Sequence, residues 1–249
     1  RYLPIFLRVI FSLAIIALAA GLRAWAVQKL PPDYDEDDYL RAGQLYTNGI
    51  REGDWGVFLR ENYRPEHPPL LKIVYGFTLL ATNPFPLIPD ASVQAGINQS
   101  LPADPLKAAR STSAAINLIE VAILTAINPL AGIFIGVHTF TIKYVSQVML
   151  ESLPTLTSLL VVAFYMRYIK SNRKRSVWWI LSAIFLGLTA ASKYYYVISG
   201  IAVAAHWFWT TYRQDTKHGF KRLWHAIAPV LIWAAVAFMI FFAADPYLW

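Results

Sequence analysis

The sequence alternates long apolar blocks with short charged loops. Six blocks approach the length of about 20 apolar residues that a helix needs to cross a hydrocarbon core about 30 Å thick. They cover residues 3–27, 111–128, 131–149, 155–169, 177–211 and 224–243. The fifth block is too long for one helix, and we expect two helices with a break near Ser192-Lys193. The pattern predicts an all-α integral membrane protein with about seven transmembrane helices.

We expect these helices to form a single transmembrane domain over residues 1–249, because short loops leave no separate soluble core. The chain opens at Arg1 rather than at a methionine and closes at Trp249. We therefore also expect it to be the N-terminal part of a longer polypeptide.

A long segment, 28–110, separates the first two blocks. It contains one shorter apolar run, Leu70 to Ala81, which follows Pro68-Pro69. A run of about twelve residues is short for a transmembrane span and is typical of a helix that lies flat at the membrane surface. The segment is thus predicted to be a long first loop that carries interfacial helices, one of them near 69–82.

Basic residues indicate the orientation of the chain. Two loops, 167–175 and 213–222, are rich in Lys and Arg, which stay preferentially on the cytoplasmic side. With seven spans, this places both loops inside and the 28–110 loop outside. We predict a multi-pass protein of a bacterial plasma membrane with an extracytoplasmic first loop.

Composition agrees with a chain surrounded by membrane lipids. Hydrophobic residues make up 57% of the sequence and the mean hydropathy is +0.42, above the 45–50% apolar content of soluble domains. The net charge of +7 comes from basic residues beside apolar blocks, which favours a role in orientation over nucleic-acid binding. The absence of cysteine excludes disulfides and thiolate chemistry.

Acidic residues are concentrated in the long loop. Nine of the fifteen Asp and Glu residues lie between Asp33 and Glu66, and the densest run includes Asp35-Glu36. Crowded carboxylates raise one another's pKa, so that one of them can act as a base. The alternative is a solvated acidic loop that only helps to set the topology. Composition leaves both interpretations open.

A second motif, Glu66-His67-Pro68-Pro69-Leu70-Leu71-Lys72, precedes and opens the short apolar run. Two prolines fix the backbone before a helix and would hold Glu66 and His67 rigidly at the membrane surface. The simpler interpretation is a helix N-terminus with a favourably placed acid.

Charged residues also occur at or within the apolar blocks. Ionisable groups in spans are costly to bury and are therefore functional candidates, although those near the ends can extend to the membrane surface. These residues are Arg110, Glu120, Lys143, Glu151 and Lys193. On antiparallel helices, Glu120 and Lys143 would lie at similar depths, so we predict that they form a structural ion pair within the membrane.

Taken in order, the motifs resemble those of the C-type (GT-C) integral-membrane glycosyltransferases. The likeness is to the protein O-mannosyltransferases and the phospholipid carrier-dependent transferases of bacteria. Asp35-Glu36 resembles the Asp-Glu motif of their first outer loop, and the 66–72 motif resembles their His-Pro-Pro-Leu-x-Lys element. The related aminoarabinose transferases carry Lys-Pro where this chain has His67-Pro68. Three further landmarks are Arg110-Ser-Thr-Ser, Glu151-Ser-Leu-Pro and Gly187-Leu-Thr-Ala-Ala-Ser-Lys193-Tyr.

The resemblance implies inverting transfer of a sugar from a polyprenyl-phosphate carrier to an acceptor hydroxyl on the extracytoplasmic side. Asp35 is expected to be the catalytic base, with Glu36 as the next candidate. Arg110 and Lys193 are expected to bind the donor phosphate, whose negative charge grows as it leaves.

The remaining matched residues are expected to bind substrate. Glu66 and His67 would position the acceptor, a protein or a lipid, or hold an optional divalent metal that Glu151 would complete. An alternative from another class is a non-catalytic glycosyltransferase-like subunit that scaffolds a complex with other membrane subunits.

Overall fold

The computed structural model describes residues 5–90, 101–216 and 218–249. Within these ranges the chain is all-helical and contains no strand. Its α-helices are α1 (Ile5–Lys29), α2 (Glu36–Glu52), α3 (Val57–Arg60), α4 (Leu70–Leu79), α5 (Ala103–Ile127), α6 (Pro129–Val137), α7 (Thr139–Val145), α8 (Ser152–Lys170), α9 (Ser176–Ser192), α10 (Ile198–Gln214) and α11 (Phe220–Ala244). Short 3₁₀ helices cover Tyr194–Val197 and Pro246–Leu248.

Four of these helices, α1, α5, α8 and α11, are long and apolar enough to cross a membrane. The helices α4 and α9 are apolar but shorter. An all-helical protein with several candidate spans is thus confirmed for the described residues. The count of seven spans stays a prediction.

The block 131–149 is not one continuous helix as expected, because it divides into α6 and α7. The two helices meet at His138, whose backbone is extended and whose side-chain nitrogen accepts a hydrogen bond from the first turn of α7. Arg23 donates to the carbonyl groups of Ile135 and Gly136, at 3.2 and 3.0 Å, at the end of α6. Backbone groups released by the break therefore have polar partners.

The break predicted near Ser192-Lys193 is confirmed. Helix α9 ends at Ser192, and Lys193 has extended backbone angles, with φ −164° and ψ 124°. A 3₁₀ turn over Tyr194–Val197 then leads into α10. The apolar block 177–211 therefore forms two helices.

The helix expected near 69–82 is present as α4, and its position at the membrane surface stays a prediction. It packs against α2 through two glycines, with Tyr46 of α2 over Gly76 and Tyr75 of α4 over Gly43. Thr47 also donates to the carbonyl of Gly76 at 2.7 Å. This close approach fixes the acidic segment to the short apolar helix.

The chain groups into two compact units. The first unit covers 1–65 and 71–156, and the second covers 66–70 and 157–249. Tyr39, Leu71 and Tyr75 are among the core residues of the first unit. Trp207 and Trp233 are in the core of the second unit. The expectation of a single domain over 1–249 stays a prediction.

Candidate functional site

Glu36 is at the centre of the polar network in the first unit. It is the first residue of α2, and its side chain is fully buried. Its two carboxylate oxygens accept from Arg110 Nε at 2.8 Å and Arg110 Nη2 at 2.5 Å. The backbone N–H groups of Asp33 and Val148 donate to the same carboxylate at 3.0 and 2.7 Å. Four charge-assisted hydrogen bonds therefore compensate the burial of this charge.

Arg110 joins Glu36 to the end of α1. It lies two turns inside α5 and is 3% exposed. Its Nη1 donates to the carbonyl groups of Val27 at 3.1 Å and Leu30 at 2.9 Å, and its Nη2 donates to Pro31 at 3.2 Å. With the two bonds to Glu36, every nitrogen of the guanidinium has a protein partner. The direct contact with a donor phosphate that the resemblance implies for Arg110 stays a prediction.

Asp35 immediately precedes this buried pair, and its environment is different. It is the N-cap residue of α2, yet its side chain makes no capping hydrogen bond. The carboxylate is half-buried, and no ion pair reaches it among the described residues. Burial raises the pKa of Asp35, and the negative charges of Asp38 and Asp33 raise it further. A side-chain hydrogen bond with Tyr34 opposes this rise in pKa. That Asp35 is the catalytic base stays a prediction.

The first unit brings four of the predicted site residues together: Asp35, Glu36, Arg110 and Glu151. Glu151 directly precedes α8, and its negative charge also contributes to the raised pKa of Asp35. Glu66, His67 and Lys193 belong to the second unit. Within that unit the Lys193 ammonium lies 5.7 Å from the ring centre of Tyr195. That Glu66, His67 and Lys193 join the site stays a prediction.

Lys72, the last residue of the 66–72 motif, has a defined structural role. Its ammonium group is fully buried and donates to Asn62 Oδ1 at 2.8 Å, to the Tyr63 carbonyl at 2.8 Å and to the Arg64 carbonyl at 2.7 Å. This lysine therefore fixes the backbone of the segment between α3 and α4.

The segment held by Lys72 contacts the acidic run through Asp38. Arg64 Nε and the Tyr63 hydroxyl donate to the Asp38 carboxylate at 2.7 and 3.0 Å. Sequence reasoning missed these contacts. The sequence offered only one indication of these contacts, namely that Tyr63 and Arg64 closely precede the 66–72 motif. Arg64 and Asp38 are 26 residues apart, so no helical or strand periodicity relates them.

The predicted ion pair between Glu120 and Lys143 is wrong. Lys143 instead pairs with Asp33, with 2.9 Å between Nζ and Oδ2. Glu120 accepts a hydrogen bond from Asn117 at 2.7 Å, and Asn117 in turn accepts from Arg23 at 2.8 Å. The break between α6 and α7 explains the difference, because the depth comparison assumed one straight helix.

Asp33 is fixed as an anion beside the acidic run. Its hydrogen bond with Lys143 and the nearby positive charges lower its pKa, against a smaller opposing effect of burial. Two aspartates only two residues apart therefore have pKa values that shift in opposite directions. Such a separation is typical of sites in which neighbouring carboxylates have different roles.

The sequence also predicted an optional divalent metal site. Among the described residues no group of three or more His, Asp or Glu side chains is arranged to hold a metal ion. Donors for a metal at Glu66, His67 and Glu151 belong to different units. That Glu66, His67 and Glu151 hold a metal stays a prediction.

The described site combines a half-buried carboxylate of raised pKa with a frame of polar contacts around one buried ion pair, Glu36–Arg110. The frame is built from the end of α1, the start of α2, the first half of α5 and the segment between α7 and α8. Such a carboxylate can accept a proton from a hydroxyl that lies within hydrogen-bond reach.

Comparison with known proteins gives a match in structure but not in sequence. No protein-family model matches the chain, and no curated protein sequence matches it. The fold is similar to that of a solved structure of the S. cerevisiae protein O-mannosyltransferase Pmt1–Pmt2 complex bound to the sugar donor, with a TM-score of 0.67. Sequence identity is 16%, over 94% of this chain and 33% of that chain.

The likeness to GT-C transferases expected from the motifs is therefore confirmed at the level of the fold. This chain spans about a third of the length of the chain that it matches.

Proposed function

We propose that this protein is a membrane glycosyltransferase that moves a sugar from a polyprenyl-phosphate carrier to an acceptor hydroxyl, with inversion at the anomeric carbon. The observation that carries the proposal is Asp35, a half-buried carboxylate of raised pKa beside the Glu36–Arg110 pair. The similar fold of the Pmt1–Pmt2 complex supports the class of reaction. Mannose is the first sugar to test, because that complex is an O-mannosyltransferase.

In the proposed reaction, Asp35 takes the proton of the acceptor hydroxyl. The hydroxyl oxygen forms a bond to the anomeric carbon from the face opposite the phosphate. The bond between that carbon and the phosphate oxygen breaks, and polyprenyl phosphate leaves with the electron pair. The negative charge that grows on the phosphate needs fixed cations nearby. No redox partner is required, and the proton stays on Asp35 until solvent removes it.

Asp35 is proposed as the base ahead of Glu36 for a structural reason. Protonation of Glu36 would weaken its bonds to Arg110 and would leave a buried guanidinium with an incomplete set of partners. Protonation of Asp35 removes a negative charge that Asp33 and Asp38 already disfavour. We therefore assign Glu36 the role of positioning the start of α2.

The test is transfer of radiolabelled mannose from polyprenyl-phosphate mannose by membranes that contain the protein. Asp35→Asn should lower the rate by about 10²–10⁴-fold, because the general base is lost. The matched control is Asp37→Asn, since Asp37 is also a half-buried acid of raised pKa in the same run. We expect Asp37→Asn to transfer mannose at nearly the rate of the unchanged protein.

Equal rates for the unchanged protein and Asp35→Asn, with both proteins folded, would remove Asp35 from the mechanism. The non-catalytic alternative gives a different result. A scaffold subunit would show no transfer from any polyprenyl-phosphate sugar and would purify in a fixed ratio with unrelated membrane proteins.

A further inference from the structure

Among the described residues, three cations pair with the acidic run, Arg110, Arg64 and Lys143, and Lys143 is the most exposed of the three. Lys143 lies in the last turn of α7 and reaches back to Asp33, at 2.9 Å. Its side chain is 45% exposed, against 4% for that of Arg110. The sequence predicted a structural ion pair between Lys143 and Glu120. Because Lys143 pairs with Asp33 instead, that structural role does not apply to it.

Only a cation with donors left for a ligand can bind a phosphate without first breaking the fold. The guanidinium of Arg110 has five N–H donors, and Glu36 and three carbonyl groups accept from all of its nitrogens. An ammonium group has three donors. Asp33 accepts one donor of Lys143, and the exposure of the side chain leaves room for a second acceptor.

Lys143 is also close to the proposed base. Its partner Asp33 is two residues before Asp35, and the charge of Asp33 contributes to the raised pKa of Asp35. The residue between them, Tyr34, is 83% exposed, so this part of the loop is open. A phosphate bound by Lys143 would therefore lie next to the loop that carries the base.

We infer that Lys143 binds the phosphate group of the polyprenyl-phosphate donor and stabilises its growing charge as the sugar leaves. This inference rests on the proposed function. Lysine is a common phosphate ligand that acts as a point charge, and a fixed cation near the leaving oxygen lowers the barrier to transfer.

The test measures binding of the lipid without any sugar transfer. The protein is placed in phosphatidylcholine nanodiscs, and polyprenyl phosphate is titrated against the uncharged polyprenol. We expect Lys143→Ala to weaken binding of polyprenyl phosphate about 10-fold or more, because a charge-assisted hydrogen bond is lost, and to leave polyprenol binding unchanged. Lys143→Arg should retain most of the affinity.

Asp33→Asn is the matched control, because it removes the same ion pair and keeps the cation. If Lys143 only anchors the loop, both variants should weaken binding equally, and that result would overturn the inference. If Lys143 binds phosphate, Asp33→Asn should bind polyprenyl phosphate as well as the unchanged protein or more tightly. Displacement of the lipid by millimolar inorganic phosphate would indicate a site for free phosphate and would also overturn the inference.

Failure of this inference and failure of the proposed function give different results. Transfer activity together with unchanged lipid binding by Lys143→Ala would remove only the role of Lys143. Tight binding of polyprenyl phosphate that depends on Lys143, without transfer of any sugar, would remove the proposed reaction and retain the phosphate site.

Discussion

The two units of the chain bury very different side chains. The interior of the first unit contains six charged residues among those described: Arg23, Glu36, Asp38, Lys72, Arg110 and Glu120. The interior of the second unit is aromatic, with the ring centres of Trp179 and Trp207 4.9 Å apart and those of Trp179 and Trp233 5.5 Å apart. Apart from Asp245, the buried polar side chains among the described residues of the second unit are hydroxyls.

The difference shows where the fold supports charge. A buried charge costs several kcal/mol unless hydrogen bonds surround it. In the first unit each buried cation has at least three acceptors, such as the three for Lys72. The bonds of Arg23 join α1 to α5 and α6, whereas Arg110 and Lys72 also hold loop residues, such as Pro31 and Tyr63. In the second unit the buried hydrogen bonds between helices use neutral groups, such as the Ser182 hydroxyl, which donates to the Val161 carbonyl at 2.9 Å.

The strongest test of this comparison is the removal of the charge of Glu36. Glu36→Gln leaves the Arg110 guanidinium buried without its counter-charge, and we expect the free energy of unfolding to fall by about 3–5 kcal/mol. Unfolding in mixed detergent micelles, followed by circular dichroism, measures the change.

The double variant Glu36→Met with Arg110→Met is the control for Glu36→Gln. It replaces both charges by apolar groups and should recover much of the loss, because a complete apolar replacement leaves no unpaired charge. A loss below about 1 kcal/mol for Glu36→Gln, the value of an exposed ion pair, would contradict the burial on which the comparison depends.

The second test measures how closely α9 and α11 pack in the second unit. A Cβ atom added at Gly187 of α9 would lie 2.4 Å from the carbonyl oxygen of Ala237 of α11. The backbone of α9 or α11 must therefore move to make room for the methyl group. We expect Gly187→Ala to lower the free energy of unfolding by about 1–3 kcal/mol. The same substitution at Gly21 of α1 meets nothing within 4 Å and should be neutral or stabilising, because alanine favours a helix. Equal stability of the two variants would show that α9 and α11 are not tightly packed.

The third test uses pH. The raised pKa of Asp35 means that the folded protein favours the protonated carboxyl, so this residue contributes stability at low pH that is lost as the pH rises through that pKa. Catalysis needs the carboxylate and has the opposite dependence. The rate of mannose transfer should rise with pH, about tenfold per unit, and level off above the raised pKa.

The acid limb of the rate profile should therefore lie above the ordinary aspartate pKa of 3.8. Asp37→Asn is expected to leave that limb in place. A limb at the ordinary value, or one that moves in Asp37→Asn, would show that another group is the base.

Sequence patterns predicted the elements of the fold better than its contacts. Hydropathy placed α1, α5, α8 and α11 and the break before Tyr194, because apolar length and a polar interruption are local properties. The same pattern could not show the break at His138. At that break Arg23, more than a hundred residues away, supplies donors to the end of α6, and such a distant partner leaves no local pattern.

The candidate site was predictable in part for the same reason. Motif order selected Asp35, Glu36 and Arg110, and the structure brings them together in the first unit. The resemblance ranked Asp35 before Glu36, but the sequence could not show that Glu36 is buried against Arg110 while Asp35 is half-buried. Nor could it pair Lys143 with Asp33, since the predicted depth of Lys143 assumed one continuous helix over 131–149.

The smallest effect belongs to the hydroxyls of the second unit. Thr189 donates to Thr157 at 2.9 Å and also contacts the carbonyl of Phe185 at 2.7 Å. Hydrogen bonds between helices in a membrane average only about 0.6 kcal/mol, so Thr189→Val should change stability by about that amount, and Thr189→Ser should retain it. Detergent unfolding of both variants gives the comparison. A loss from Thr189→Val as large as that from Glu36→Gln would show that the second unit also depends on its polar contacts, and the contrast between the units would no longer hold.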